Sequence, residues 1–185
     1  DVQTDHFIRL IKENIVSIKD DGSIWLNQDY FNYATGLKMI NEKKWEQLFG
    51  FPTLKPDGEV DQKHCNLAFA IQRVTEEIVL KMSAEAKKLT GSDHLCMAGG
   101  VALNCVANYE MLASFPDINL WVDPVAHDGG TAIGLARLIW HTKNSSSKIM
   151  PLSTAYLGET YVIRDVANTP EISNREVTVR DVADL

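Results

Sequence analysis

The chain has 185 residues, with 18 Lys and Arg against 25 Asp and Glu and a net charge of −7. Hydrophobic residues make up 45% and charged residues 23%, which excludes disordered and collagen-like classes, and the length bounds the chain to one ordinary domain or two very small ones with a core that needs no metal or disulfide staple. The acidic balance speaks against a sequence-independent nucleic-acid binder and against a polybasic membrane anchor. No apolar run approaches the roughly 20 residues of a transmembrane helix, because Arg137 and the Gly-rich loops interrupt every candidate. Cys65, Cys96 and Cys105 are odd in number and lack a Cys-x-x-Cys pair, so they read as reduced thiols of a cytoplasmic protein. The chain starts at Asp1 with nothing like a signal peptide, and it is expected to be a fragment.

In chain order, the first third reads as short strands. Ile15 to Ile18, the turn Asp20-Asp21-Gly22 and Ser23 to Leu26 predict a β-hairpin, with a third extended piece around Tyr30 to Tyr33. Residues 35–60 hold Gly36, Gly50, Pro52, Pro56 and Gly58 around a helical stretch at Glu42 to Leu48, a loop-rich insertion. From Gln62 to Leu89 the apolar residues Leu67, Ile71, Val74, Ile78, Met82 and Leu89 recur at helical steps. Asp61 suits the N-cap, Lys87 and Lys88 suit the negative end, and Gly91 suits the stop. Leu95 to Ala98 then reads as a strand, residues 103–114 as a helix, Ile118 to Val122 as a strand, and Thr131 to His141 as a helix. Strand, helix, strand, helix with short links implies a parallel pair. Together these elements predict an α/β fold with one mixed sheet, hairpin included, covered by the helices. Lys143 to Lys148 has a linker composition, and the tail carries only short β-like pieces at Tyr161 to Ile163 and Val177 to Val179.

Ligands gather beyond the carboxyl ends of parallel strands. Two loops fall there, Ala98-Gly99-Gly100-Val101 and His127-Asp128-Gly129-Gly130, and strand spacing puts both on one cleft. Gly99 and Gly100 permit close approach of a ligand to backbone, or they simply make a tight turn. Asp128 reads either as an N-cap or as a carboxylate holding a divalent cation. Asn104 reads either as a side chain bonding a ribose or phosphate or as a polar residue satisfying local backbone. His127 is a weaker ligand candidate. His64 and Cys65 are expected to be a surface histidine and a core thiol rather than a metal pair. Trp25, Trp45, Trp121 and Trp140 are dispersed, as core residues are, rather than grouped as a stacking platform. No P-loop, dinucleotide fingerprint, Gly-x-Ser-x-Gly elbow or His-Glu-x-x-His motif occurs.

The segments Gly22-Ser-Ile-Trp-Leu-Asn27, Tyr30-Phe-Asn-Tyr33, Leu95-Cys-Met-Ala-Gly-Gly-Val-Ala-Leu-Asn104 and Pro124-Val-Ala-His-Asp-Gly-Gly-Thr-Ala-Ile-Gly134 resemble the NodU/CmcH family of O-carbamoyltransferases over roughly residues 1–160. Tyr156-Leu157-Gly158 resembles the connector ahead of that family's second domain, although Glu159 stands where the family has Pro.

The resemblance implies an actin-like ATPase (ribonuclease-H-like) fold with helices on both faces of the sheet. Residues 1–143 would form the second subdomain of its catalytic domain, and 144–185 a linker toward a further domain. It implies transfer of a carbamoyl group from carbamoyl phosphate, by way of carbamoyl adenylate, to a hydroxyl of a small acceptor. The implied cofactors are ATP and a divalent metal, iron or magnesium. Gly99, Gly100 and Val101 would line the nucleotide site, Asn104 would lie near the ribose, and Asp128 would bind the metal. The remaining metal ligands, a pair of histidines, and the carbamoyl-phosphate site would lie on other segments of the parent, so the piece alone is expected to be inactive. Neither DNA nor a membrane is an expected partner; self-association through the open cleft face is. Two other readings share the fold: a tRNA threonylcarbamoyl-modifying ATPase, and a non-catalytic actin-like nucleotide-binding module.

Overall fold

A computed structural model describes residues 2–144. The tail pieces, the Tyr156-Leu157-Gly158 connector and nearly all of the expected linker lie outside the described residues. The described part is a mixed α/β structure of five α-helices and two small sheets: α1 (Val2–Leu10), β1 (Val16–Ile18), β2 (Ile24–Leu26), α2 (Glu42–Phe49), α3 (Gln62–Thr90), β3 (His94–Met97), α4 (Cys105–Ser114), β4 (Asn119–Val122) and α5 (Gly130–Lys143).

Helix α1 was not foreseen, although Phe7, Ile11 and Ile15 step by four and are all buried. It runs through a π-helical turn, Ile11–Ile15, straight into β1. Phe7 meets Phe49 edge-on at 5.5 Å between ring centroids, and Phe51 lies 6.0 Å away. These rings, with Ile11, Ile15, Val16, Ala70 and Val74, form the main core. The expected hairpin forms, pairing Val16 with Leu26 and Ile18 with Ile24. Its turn needs Gly22. The residue has φ +79°, and a Cβ there would run into the backbone of Lys81 and Met82 on α3. The third extended piece is reduced to a 3-10 turn, Gln28–Tyr30, and one bridge from Phe31 to Ile40.

The caps of α3 are those read from sequence. Asp61 accepts from the N–H groups of Lys63 and His64, and the Gly91 N–H donates to Lys87 O at 2.8 Å. Its buried face keeps part of the expected stripe, with Val74 buried and Leu67 and Ile78 packed against the core, and departs from the rest. Ile71, Met82 and Leu89 are 41%, 53% and 75% exposed, whereas Asn66, Ala70, Val74, Glu76, Val79 and Ser83 are buried. The reason is that α3 packs on two helices. Asn66 donates to Gln3 of α1 at 2.7 Å, and Ser83 donates to the Met111 sulfur of α4 at 3.1 Å. Small side chains let helix axes approach closely, and hydrogen bonds make the buried amides tolerable.

The predicted parallel pair forms in register, His94 beside Asn119 through Met97 beside Val122. The single mixed sheet does not: the hairpin and the parallel pair are separate two-stranded sheets. The hairpin is continuous with α1, the parallel pair follows α3, and strands of three or four residues are too short for a ladder to bridge between them. The packing expectation for tryptophan also needs correction. Only Trp45 is half-buried; Trp25, Trp121 and Trp140 are 72%, 46% and 50% exposed. Cys65 is exposed, and His64 is the half-buried member of its pair, because His64 serves the capping box and stacks edge-on with Phe51 at 5.2 Å.

Candidate functional site

The strand order places the two Gly-containing loops side by side. The Gly99 N–H donates to Ala126 O at 2.8 Å, so one backbone hydrogen bond ties the loop after β3 to the loop after β4. Between them lies a cleft of about 370 Å³ lined by Ala98, Gly99, His127, Asp128, Gly130 and Thr131, with Asp123 and Arg137 at its edge. That volume falls in the range of small-molecule pockets.

Each loop has a local reason for its path. Gly99 has φ +96°, and nothing lies within 4 Å of where a Cβ would sit, so its backbone faces open space at the cleft. Beyond it, Gly100–Leu103 makes a 3-10 turn that delivers Asn104 to the head of α4. In the second loop, Asp123 Oδ1 accepts from the Val125 N–H at 2.9 Å, and His127 Nδ1 accepts from the Gly129 N–H at 3.1 Å. Gly130 is required by close approach: a Cβ there would collide with the carbonyl oxygen of Val125.

Asp128 is exposed on the cleft. Its carbonyl accepts from both the N–H and the hydroxyl of Thr131. Its carboxylate makes no cap, since the residue before α5 is Gly129 and no side chain caps that helix. The N-cap reading of Asp128 is therefore not what this loop uses, and the carboxylate is left facing the cleft. As a metal site the residues present are incomplete. No group of three or more His, Cys, Asp or Glu side chains converges among the described residues, and His127 Nδ1 is occupied by Gly129. Asp128 supplies one anionic ligand, so the remaining donors for any cation there must come from elsewhere.

The other sequence candidates fall around this cleft rather than all inside it. Gly100 and Val101 lie in the adjoining 3-10 turn and do not line it. Asn104 is the N-cap of α4: Oδ1 accepts from the Ala107 N–H at 3.1 Å. The same amide pairs in both directions with Gln72 of α3, Nδ2 to Oε1 at 2.9 Å and Nε2 to Oδ1 at 3.2 Å. The local, backbone-satisfying role thus describes its present contacts. Gln72 itself was missed, because a lone glutamine on a helix face gives no signal until the partner 32 residues away is known. Asn108 of α4 adds a second tie: its Nδ2 donates to Ala102 O at 2.8 Å and holds the 3-10 turn from the other side.

The family described as carbamoyltransferase N-terminus matches residues 3–137. An uncharacterized protein of Synechocystis sp. is 39% identical over 164 residues, which are 86% of this chain and 26% of that protein. The nodulation protein NolO of Bradyrhizobium diazoefficiens is 38% identical over 78 residues, 42% of this chain and 14% of the relative. The nodulation protein NolNO of Sinorhizobium fredii is 34% identical over 97 residues, 52% of this chain and 14% of the relative. The chain thus spans about a quarter or less of the length of these relatives. With the match covering most of its length, the chain belongs to the carbamoyltransferase N-terminus family.

Proposed function

We propose that this chain is a piece of an ATP-dependent O-carbamoyltransferase and forms one wall of the nucleotide cleft in an actin-like catalytic domain. The reaction carries a carbamoyl group from carbamoyl phosphate, through carbamoyl adenylate, to a hydroxyl of a small acceptor. Family membership supports the carbamoyl chemistry. The observation that supports the nucleotide role is the Gly99 to Ala126 hydrogen bond, which draws bare glycine backbone and the Asp128 carboxylate onto one cleft. Backbone without side chains lets phosphate oxygens approach closely, and a carboxylate facing the same space suits the divalent cation that accompanies nucleotide phosphates. When bound, that cation would neutralise developing charge on the phosphates. Within this chain Gly99 shapes the approach, Asp128 offers one ligand, and His127 holds the loop in place.

The test uses the full-length protein with ATP, a divalent metal and carbamoyl phosphate, following pyrophosphate release. Asp128→Asn is expected to lower turnover by about 10²–10³-fold, since a neutral amide is a poorer ligand and supplies no charge. The melting temperature should stay near that of wild type, because the carboxylate makes no hydrogen bond or ion pair among the described residues and Asn is nearly isosteric. Wild-type turnover and unaltered metal dependence in the variant would overturn the role given to Asp128.

A further inference from the structure

We infer that Gln72 is a positioning residue for the nucleotide-side loop, holding Asn104 and the Gly99–Leu103 turn in place from the middle of α3. The inference rests on the nucleotide role proposed above for that loop. Its basis is a chain of hydrogen bonds whose direction is fixed at every link. The Ala107 N–H can only donate, so Asn104 must turn Oδ1 toward α4. With Oδ1 fixed, Nδ2 is fixed too, and it donates to Gln72 Oε1 at 2.9 Å. Gln72 must then offer Nε2 to its other partners: Asn104 Oδ1 at 3.2 Å and Glu76 Oε1 at 2.9 Å. Glu76, only 4% exposed, can only accept when ionised, and Arg73 completes it at 2.8 Å through its second oxygen. No amide in this chain can flip without leaving a half-buried donor facing a donor.

This network reaches the cleft through backbone. Asn104 donates its own N–H to Val101 O at 2.9 Å, and the Ala102 N–H donates to Gly99 O at 3.1 Å. Asn108 ties Ala102 O from the α4 side. The turn that carries Gly99 is therefore tied by the Asn108 amide at Ala102, and it runs directly into Asn104, whose side chain Gln72 holds from α3. A ligand in the cleft meets Gly99 backbone that this network already holds in place, which lowers the ordering cost of binding. Gln72 does not line the cleft, so it acts through Asn104 rather than on the ligand.

The experiment compares Gln72→Met and Gln72→Asn with wild type in the full-length protein. Methionine keeps length and removes both polar partners; asparagine keeps the amide and withdraws it by one methylene. Both are expected to raise the KM for ATP by about tenfold or more, as small misplacements of binding groups do, while the KM for carbamoyl phosphate changes little. Glu76→Gln, which retains an oxygen to accept from Gln72, should keep most of the ATP affinity, and Glu76→Leu should lose it. Hydrogen exchange at the amides of Ala102, Asn104 and Ala107 should quicken in both Gln72 variants, a readout that needs no turnover. Unchanged exchange at these amides, or equal changes in both KM values, would overturn the positioning role. A wild-type protein without carbamoyl transfer but with the exchange effect in Gln72→Met would overturn the function proposed for the site and leave the clamp standing.

Discussion

The two halves of the described chain are built on different physics. Residues up to about the middle of α3 bury a compact aromatic and aliphatic cluster, with Phe7, Ile11, Ile15, Val16 and Phe49 all under 9% exposed. Residues 94–144 carry the candidate cleft and bury mostly small side chains, Ala102, Ala107 and Ala126, beside Met111 and Ile118. Helix α5 has no buried residue, and Leu135, Leu138, Ile139 and Trp140 are 57%, 64%, 49% and 50% exposed. Strands β3 and β4 alternate exposed and half-buried along their length. The first half is shaped by side-chain packing, which is non-directional and tolerates some repacking. The second is shaped by backbone: the Gly99 to Ala126 bond, the asparagine clamp on the 3-10 turn, and Gly130 pressed against Val125 O. Directional contacts fix a loop with little apolar burial, which is what a cleft open to a ligand requires.

The largest expected effect tests this contrast directly. Phe7→Ala should cost about 3–5 kcal/mol of stability, as for other buried aromatic truncations, whereas Leu138→Ala should cost less than about 0.5 kcal/mol. Thermal and urea unfolding of the full-length protein would report both. A large loss from Leu138→Ala would show that the α5 face is buried in the whole protein, and the contrast would then describe this chain alone.

Gly22→Ala should come next, at about 2–4 kcal/mol, since a positive φ and a collision with the α3 backbone add together. A substitution there that leaves the melting temperature unchanged would mean the hairpin turn is not held against α3. The effect should fall on stability, with the KM for ATP unaltered in the folded fraction, which separates it from the Gln72 variants.

The smallest expected effect is electrostatic. Burial pushes the Glu77 carboxyl up, but Lys12 at 2.8 Å and Lys81 at 3.4 Å outweigh it and hold it below its ordinary value. A depressed folded value means the pair stabilises the protein above the unfolded carboxylate range and loses that contribution as pH falls through the folded value. Lys12→Met should therefore lower stability by less than about 1 kcal/mol near neutral pH. The gap to wild type should close as pH falls through the depressed folded value, read from melting temperatures between pH 6 and pH 3. A gap that persists at low pH would assign the effect to the packing of the Lys12 stem instead.

Much of this architecture was legible before any coordinates. The caps of α3 and the hairpin rest on contacts a few residues apart, and the parallel pair follows from the strand, helix, strand order with short links. Asp61, Gly91 and the Asp21-Gly22 turn signal their structure locally. The shared cleft was also readable, because two loops following neighbouring parallel strands must fall at the same edge. The α1 helix was readable in retrospect from Phe7, Ile11 and Ile15, but the β-branched Ile15 and Val16 drew that segment toward strand.

Pattern could not decide which face of α3 is buried. Hydrophobicity selects Ile71, Met82 and Leu89, while close approach by two helices selects Ala70 and Ser83, and only the presence of both α1 and α4 settles that competition. Nor could it separate the hairpin from the parallel pair, since ladder formation depends on where strands of three or four residues end up in space. The sequence by itself determined the hairpin, α3 with its caps, the parallel pair and the sharing of one cleft by the Gly99 and Asp128 loops, because each follows from local pattern or from the order of neighbouring elements. Tertiary structure alone decided that the Asp128 carboxylate is left uncapped and that Asn104 is held by Gln72 from 32 residues away. A side-chain hydrogen bond depends on distances and angles that no local pattern encodes, so its partner is chosen only when the helices pack.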